Sequence, residues 1–212
     1  LTIDGETKIQ AKTVIISTGA TAKYLGLPSE EKFMGFGVSA CAVCDGFFYK
    51  GQDVVVVGAG DTAAEEATYL AKICPKVTLL VRRDQMRASK AMQNRVLNTD
   101  NIEIKWNTET VEIQGGQSVE TVVVKNTQTG EIENIPASGF FVAIGHTPNT
   151  DIFKGILDMD ETGYLTPTLG KTATNKPGVF AAGDVADKVY RQAVTAAGTG
   201  CMAALESERY LS

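Results

Sequence analysis

The sequence predicts a mixed α/β protein built on parallel strands, and three observations predict it. Near-continuous apolar runs of strand length recur at residues 13–17, 52–57, 76–81 and 140–144, the pattern of strands covered on both faces. Between the second and third runs lies a glycine turn followed by an alanine- and glutamate-rich helical stretch at 64–73, so residues 52–83 read as one βαβ unit. The composition agrees: 212 residues with 43% hydrophobic side chains, 21 glycines and 21% charged side chains suffice for one large or two modest domains.

Composition also excludes several functions. A formal net charge of -5 provides no basic field for a phosphate backbone, so nucleic acid is not an expected partner. No apolar run approaches the roughly 20 residues of a membrane-spanning helix, and no signal peptide opens the chain. Four cysteines are too few for a disulfide-stapled secreted scaffold, and the expected location is cytoplasmic.

Taken in order, the chain opens at Leu1 with a polar, hairpin-like segment at 1–12 and enters its first buried strand at 13–17, which ends in the turn Thr18-Gly19-Ala20. The start reads as the middle of a domain. The spacing Gly35-Phe36-Gly37-Val38-Ser39-Ala40 matches a dinucleotide fingerprint, but no strand precedes it and it is read as a decoy. Cys41-Ala42-Val43-Cys44-Asp45-Gly46 follows. Two thiols separated by two residues can close a disulfide across one turn, with the Asp45 carboxylate beside them as proton donor and acceptor, so the pair reads as redox-active. Half of a zinc site is the alternative, yet zinc needs about four ligands, and Cys74, Cys201 and His146 are scattered singly. Phe47, Phe48 and Tyr49 are expected to pack in the core, the other role being to wall a flavin.

The βαβ unit is the sharpest feature. Gly58 permits the tight turn, Gly60 lets the backbone approach a pyrophosphate, and Ala63 allows close helix-strand packing. The amides around Asp61 and Thr62, at the helix start, are placed to hold phosphates. The unit is Rossmann-like, and no metal is needed for it. An NAD site would carry a carboxylate about 20 residues beyond the glycines; here stand Arg82 and Arg83, with Arg87 one turn on. Guanidinium forks suit a 2′-phosphate, so NADPH is preferred, against a solvated cationic face paired with Asp84.

Residues 89–97 continue as a helix, and 102–106, 109–113, 119–125 and 132–135 read as four short strands of a meander. His146, the single histidine, is expected in a loop or at a domain edge. Residues 177–185 form a short strand delivering Asp184 just past its end, where open α/β sheets bind ligands; an N-cap of the next helix is its other role. That helix opens near Tyr190. Cys201 and Cys74 are expected to be inert.

Together, the Cys41 to Gly46 stretch, the Gly58 to Ala63 turn, Arg82-Arg83 with Arg87, Gly145-His146, and Gly183-Asp184-Val185 followed by Arg191-Gln192-Ala193 resemble the low-molecular-weight, bacterial-type thioredoxin reductases from end to end of the chain. The resemblance implies a Rossmann-like NADPH domain, parallel sheet plus β-meander, inserted into a partial FAD-binding domain of the two-dinucleotide-binding-domain flavoprotein type. It divides the chain into 1–23 and 147–212 as FAD-domain parts and 24–146 as the NADPH domain with the redox pair. It implies electrons passing from NADPH to FAD, to the Cys41/Cys44 disulfide and on to thioredoxin, in a homodimer when full length. By motif, Cys44 is the flavin-proximal sulfur, Cys41 attacks the thioredoxin disulfide and Asp45 is the acid/base. Arg82, Arg83 and Arg87 bind the 2′-phosphate, and Gly19, Gly183, Asp184, Arg191, Gln192 and Ala193 lie along the flavin. The family often has a histidine before the arginine pair, and Val81 stands there.

The fingerprint for the ADP half of FAD would precede Leu1, so the chain is expected to be a fragment impaired in FAD binding. The domain at 24–146 is expected to swing on hinges near Tyr24 and Gly145-His146, since one arrangement hardly serves both a flavin and thioredoxin. Other readings are a related flavin reductase, of the ferredoxin-NADP reductase or peroxiredoxin reductase kind, and an NADPH-binding sensor with a regulatory thiol pair.

Overall fold

The computed structural model describes residues 2–212; Leu1, the first residue of the expected hairpin, lies outside them. In chain order the elements are β1 (Thr2–Ile3), β2 (Thr7–Lys8), β3 (Val14–Ile16), β4 (Ala20–Ala22), α1 (Pro28–Lys32), β5 (Val38–Ser39), α2 (Ala42–Asp45), β6 (Val54–Val57), α3 (Asp61–Leu70) and β7 (Val77–Val81). They continue as α4 (Lys90–Leu97), β8 (Ile102–Trp106), β9 (Thr108–Gln114), β10 (Thr121–Asn126), β11 (Ile132–Pro136), β12 (Gly139–Val142), β13 (His146–Pro148), β14 (Val179–Ala181) and α5 (Ala193–Leu211). The chain forms two compact units, one holding the residues up to Thr21 and from His146 to Ser212, the other Ala22–Gly145.

The second unit is a five-stranded sheet in the order β5-β12-β6-β7-β8, every pairing parallel. The run Val54-Val55-Val56-Val57 explains why it is a central strand. Val54 and Val56 join Ala63, Ala67, Leu70 and Phe141 in one core, while Val55 and Val57 join Phe33, Ile113, Val122 and Phe140 in another. A strand apolar on both sides must be covered on both sides. Helices α3 and α4 supply the first cover, and the antiparallel meander β11-β10-β9 contributes to the second.

Two sequence expectations are corrected here. Residues 102–106 belong to the parallel sheet and not to the meander, because Val77–Val81 pairs with Ile102–Trp106 residue for residue. Helix α3 runs Asp61–Leu70 and not 64–73, since Asp61 and Thr62 are good first-turn residues and the chain leaves the helix before Cys74-Pro75.

The decoy glycines at 35 and 37 have a packing role. Phe36 O accepts the Val119 N–H at 3.0 Å, and Gly37, at φ +124°, leaves no room for a Cβ against Val119.

In the first unit, β14 pairs parallel with β3, and α5 packs on both. The turn after β3 carries Gly19 and the 3₁₀ turn after β14 carries Gly183 and Asp184, so both leave the same C-terminal end of the parallel pair. Ala182 N–H donates to Ile16 O at 2.9 Å between them.

Candidate functional site

Cys41 is the N-cap of α2, and its sulfur accepts the Cys44 N–H at 3.2 Å. The two cysteines, with Cα atoms 5.3 Å apart across this first turn, are joined as a disulfide. Gly46 closes the short helix against α3. A Cβ there would meet Leu70 at 2.9 Å and Tyr69 at 3.2 Å, so glycine is what lets the redox turn sit directly on the helix that leads out of the glycine turn.

Asp45 is held beside the disulfide. The Ser39 hydroxyl donates to its Oδ2 at 2.6 Å and accepts the Cys41 N–H at 3.1 Å. The carboxylate faces two phenols: burial, then the charges of Glu30 and Asp45, raise the Tyr24 pKa, and burial, then Asp45, raise that of Tyr49. Tyr49 packs edge-on to Phe141 at 5.3 Å, as expected of a core aromatic. Phe47 and Phe48 do not: they are 69% and 75% exposed. They sit in a one-turn 3₁₀ helix too short to turn every aromatic inward, and with Val43, 60% exposed, they make an apolar surface around the disulfide.

The glycine turn follows β6. Gly58 has φ +154°, and a Cβ on it would collide with the Ala143 carbonyl and the Ala63 methyl, so here only glycine joins strand to helix. Space beside Gly60 is open within 4 Å. Above the turn lies a cavity of about 530 Å³ lined by Gly58, Gly60, Thr62, Arg82, Arg87 and Thr110 among others. The segment carrying Arg87 is tied to the turn, with Arg87 and Ala88 N–H groups on Ala59 O at 2.7 and 3.0 Å. Asp61 accepts the Ser89 N–H at 2.9 Å, and this bond, then the Ser89 hydroxyl, lowers its pKa against burial. Arg82, Arg83 and Arg87 are exposed, and Arg83 does not border the cavity. A larger cavity of about 740 Å³ opens at the opposite end of the strands, where Asp53 and Ser138 precede β6 and β12, and it borders neither the glycine turn nor the arginines.

In the first unit, Gly183 N–H donates to Thr199 Oγ1 at 2.9 Å, tying the 3₁₀ turn with Asp184 to α5. The N-cap of α5 is Gln192, so the N-cap role weighed for Asp184 falls to another residue. Asp187 gathers the Val189, Tyr190 and Arg191 N–H groups at 3.0, 2.8 and 3.1 Å, fixing the approach of Arg191, Gln192 and Ala193. Cys201 is exposed on α5 and not core. Cys74 is buried, its thiol donating to Tyr49 O at 3.4 Å. A polar side chain beside the disulfide that the sequence pattern did not mark is Ser39, whose bonds to Asp45 and Cys41 depend on the fold of the 39–45 turn.

The profile of the pyridine nucleotide-disulphide oxidoreductases matches residues 1–200. The chain belongs to that family. Within this oxidoreductase family it is 58% identical over 206 residues to a thioredoxin reductase of Dictyostelium discoideum, covering 96% of this chain and 65% of that protein. It is 54% identical over 203 residues to one of Streptomyces clavuligerus, covering 96% and 63%. Among solved structures, thioredoxin reductases from Streptococcus pyogenes MGAS5005 and Giardia duodenalis both superpose with TM-score 0.89, at 42% and 47% identity, each covering 94% of this chain and 65% of theirs. The chain thus spans just under two thirds of the length of these oxidoreductases. Among the described residues no helix is long and apolar enough to cross a membrane.

Proposed function

We propose that this chain carries the thiol-transfer and NADPH-binding machinery of a thioredoxin-disulfide reductase, with electrons passing from NADPH through FAD and the Cys41–Cys44 disulfide to thioredoxin. One observation carries the reading: a Cys-x-x-Cys disulfide with a fixed carboxylate is seated on the same helix, α3, that rises from a glycine turn flanked by Arg82 and Arg87.

The residues fit NADPH. The space beside Gly60 admits a pyrophosphate to the amides at the start of α3, and the Arg82 and Arg87 guanidinium groups, with Arg83, are chemically suited to a 2′-phosphate. For FAD, the residues offered are Gly19, Gly183 and Asp184 just past the C-terminal ends of β3 and β14, with Arg191, Gln192 and Ala193 leading into α5. When bound, the two cofactors supply a hydride and carry its electron pair to the disulfide. The protein's own part is thiol exchange. Asp45 takes the Cys41 proton, the Cys41 thiolate attacks a thioredoxin sulfur, and Asp45 passes that proton to the departing thiolate. Cys44 then attacks Cys41, its own proton going to the second thioredoxin sulfur, so that thioredoxin leaves as its dithiol and Cys41–Cys44 re-forms. Val43, Phe47 and Phe48 offer the partner an apolar surface at that point. Residues 1–23 and 147–212 would be parts of an FAD domain, 24–146 the NADPH domain, and the complete protein a homodimer.

The test uses the 212-residue chain. NADPH should bind in preference to NADH, and the chain reduced with dithiothreitol and desalted should reduce thioredoxin disulfide stoichiometrically. Cys41→Ser with Cys44→Ser should abolish transfer and keep NADPH binding. A double variant that altered only affinity for a partner would favour a sensor instead. Absorbance of the purified chain after incubation with FAD reports on flavin retention.

A further inference from the structure

The wall of the cavity facing the glycine turn is formed in part by β9, and one group on it has no role in the fold. Thr110 Oγ1 is buried and has no hydrogen-bond partner among the described residues. Its neighbour Thr108 is settled, donating to Trp106 O at 2.9 Å. A buried hydroxyl without a partner weakens the fold until something completes it, and the residue that carries this one borders the cavity with Gly58, Gly60, Thr62, Arg82 and Arg87.

The backbone is bent to put it there. The pairing of β10 with β9 shifts between Val123 and Val124, so that Val124 faces Thr110 and Val123 faces Glu112, leaving Val111 as an extra residue. Val111 and Glu112 are both exposed, whereas Thr108 and Ile113 are buried. In a regular strand with Ile113 inward, Thr110 would point outward. The bulge reverses that, a common device beside binding sites.

We propose that Thr110 is a cofactor-binding residue whose hydroxyl bonds to the adenosine half of the dinucleotide. The proposal rests on the reading of this cavity as the NADPH site. The adenosine half is chosen because β9 packs against β7, the strand that leads into Arg82, where the 2′-phosphate is expected.

Titration of the 212-residue chain with NADPH and with adenosine 2′,5′-bisphosphate tests it, alongside thermal unfolding without nucleotide. Thr110→Val should weaken both ligands about tenfold, the order of one lost hydrogen bond, and Thr110→Ser should stay within about twofold of wild type. The ligand-free valine variant should unfold at the same temperature or about 2 °C higher, because a methyl replaces an unpartnered hydroxyl. A lower unfolding midpoint with unchanged affinity would make Thr110 structural and overturn the proposal. Weakened NADPH binding with unchanged bisphosphate binding would move the contact to the nicotinamide half and overturn the assignment. A wild-type chain that binds neither ligand sinks the NADPH reading itself, whereas binding that is indifferent to Thr110→Val sinks only this inference.

Discussion

Ser39 and Asp45 share a hydrogen bond of 2.6 Å, and through the Cys41 N–H at 3.1 Å the same hydroxyl clamps the carboxylate to the N-cap of the redox turn. Asp45 is thereby held at a fixed place relative to the sulfurs. Removing the carboxylate in Asp45→Asn should slow thioredoxin reduction by the reduced chain about a hundredfold, the lower range for a positioned acid. Ser39→Ala should slow it about threefold to tenfold, and adding it to Asp45→Asn should cost nothing more, because the two act as one unit. Stopped-flow kinetics of the single and double variants decide it; additive losses would separate Ser39 from Asp45.

The free thiols should divide sharply. Burial first, and the Asp53 charge second, push the Cys74 thiol up to about 11, while Cys201 is exposed. At pH 8 the unreduced chain should show one fast-reacting thiol toward a disulfide reagent, and a second only on denaturation. Cys201→Ser should remove the fast phase, and a persisting fast phase would place Cys74 in solvent.

Phe48, 75% exposed next to the redox turn, should matter to a protein substrate and not to a small one. Phe48→Ser should lower the second-order rate with thioredoxin about tenfold, as loss of an apolar anchor does, while leaving the rate with a small aromatic disulfide unchanged. Equal losses with both would indicate damage to the turn itself.

These residues mark how far the sequence could be read. The valine run of β6 and its glycine turn were legible because local pattern and tertiary role coincide there. Residues 102–106 were not, since Ile-Glu-Ile-Lys-Trp alternates like any half-covered strand and only its register with β7 makes it parallel. Phe47 and Phe48 defied the burial habit of phenylalanine because they stand in a one-turn 3₁₀ helix that brings Tyr49 inward and leaves them outside. Ser39 and Thr110 owe their positions to a turn and a bulge that exist only after the chain has paired.

Asp187 links the approach to α5 to pH. Burial raises its pKa, but N–H groups of Tyr190, Val189 and Arg191 and the Thr195 hydroxyl outweigh that and hold it below the ordinary 3.8. A carboxylate with a depressed folded pKa contributes stability that is complete above its unfolded value and is lost as pH falls through the folded one. Unfolding midpoints of the wild-type chain should therefore drop below about pH 4 more steeply than those of Asp187→Asn, which starts less stable at neutral pH. Parallel curves would remove Asp187 from the acid response.

Gly58 stands where strand, helix and cavity meet, and its substitution separates backbone demand from ligand contact. With φ at +154° and the Ala143 carbonyl and Ala63 methyl against it, a methyl group there must push β12 or α3 away. Gly58→Ala should cost about 2 kcal/mol or more, combining conformational strain with overpacking, and lower the urea midpoint accordingly. Gly60→Ala has open space and an ordinary φ of −93°, so it should leave stability within about 0.5 kcal/mol while weakening NADPH, because the methyl occupies ground the pyrophosphate needs. Urea melts and NADPH titrations of both variants give a crossed pattern if this division is right. A Gly60→Ala chain that binds NADPH as wild type does would move the pyrophosphate off the turn.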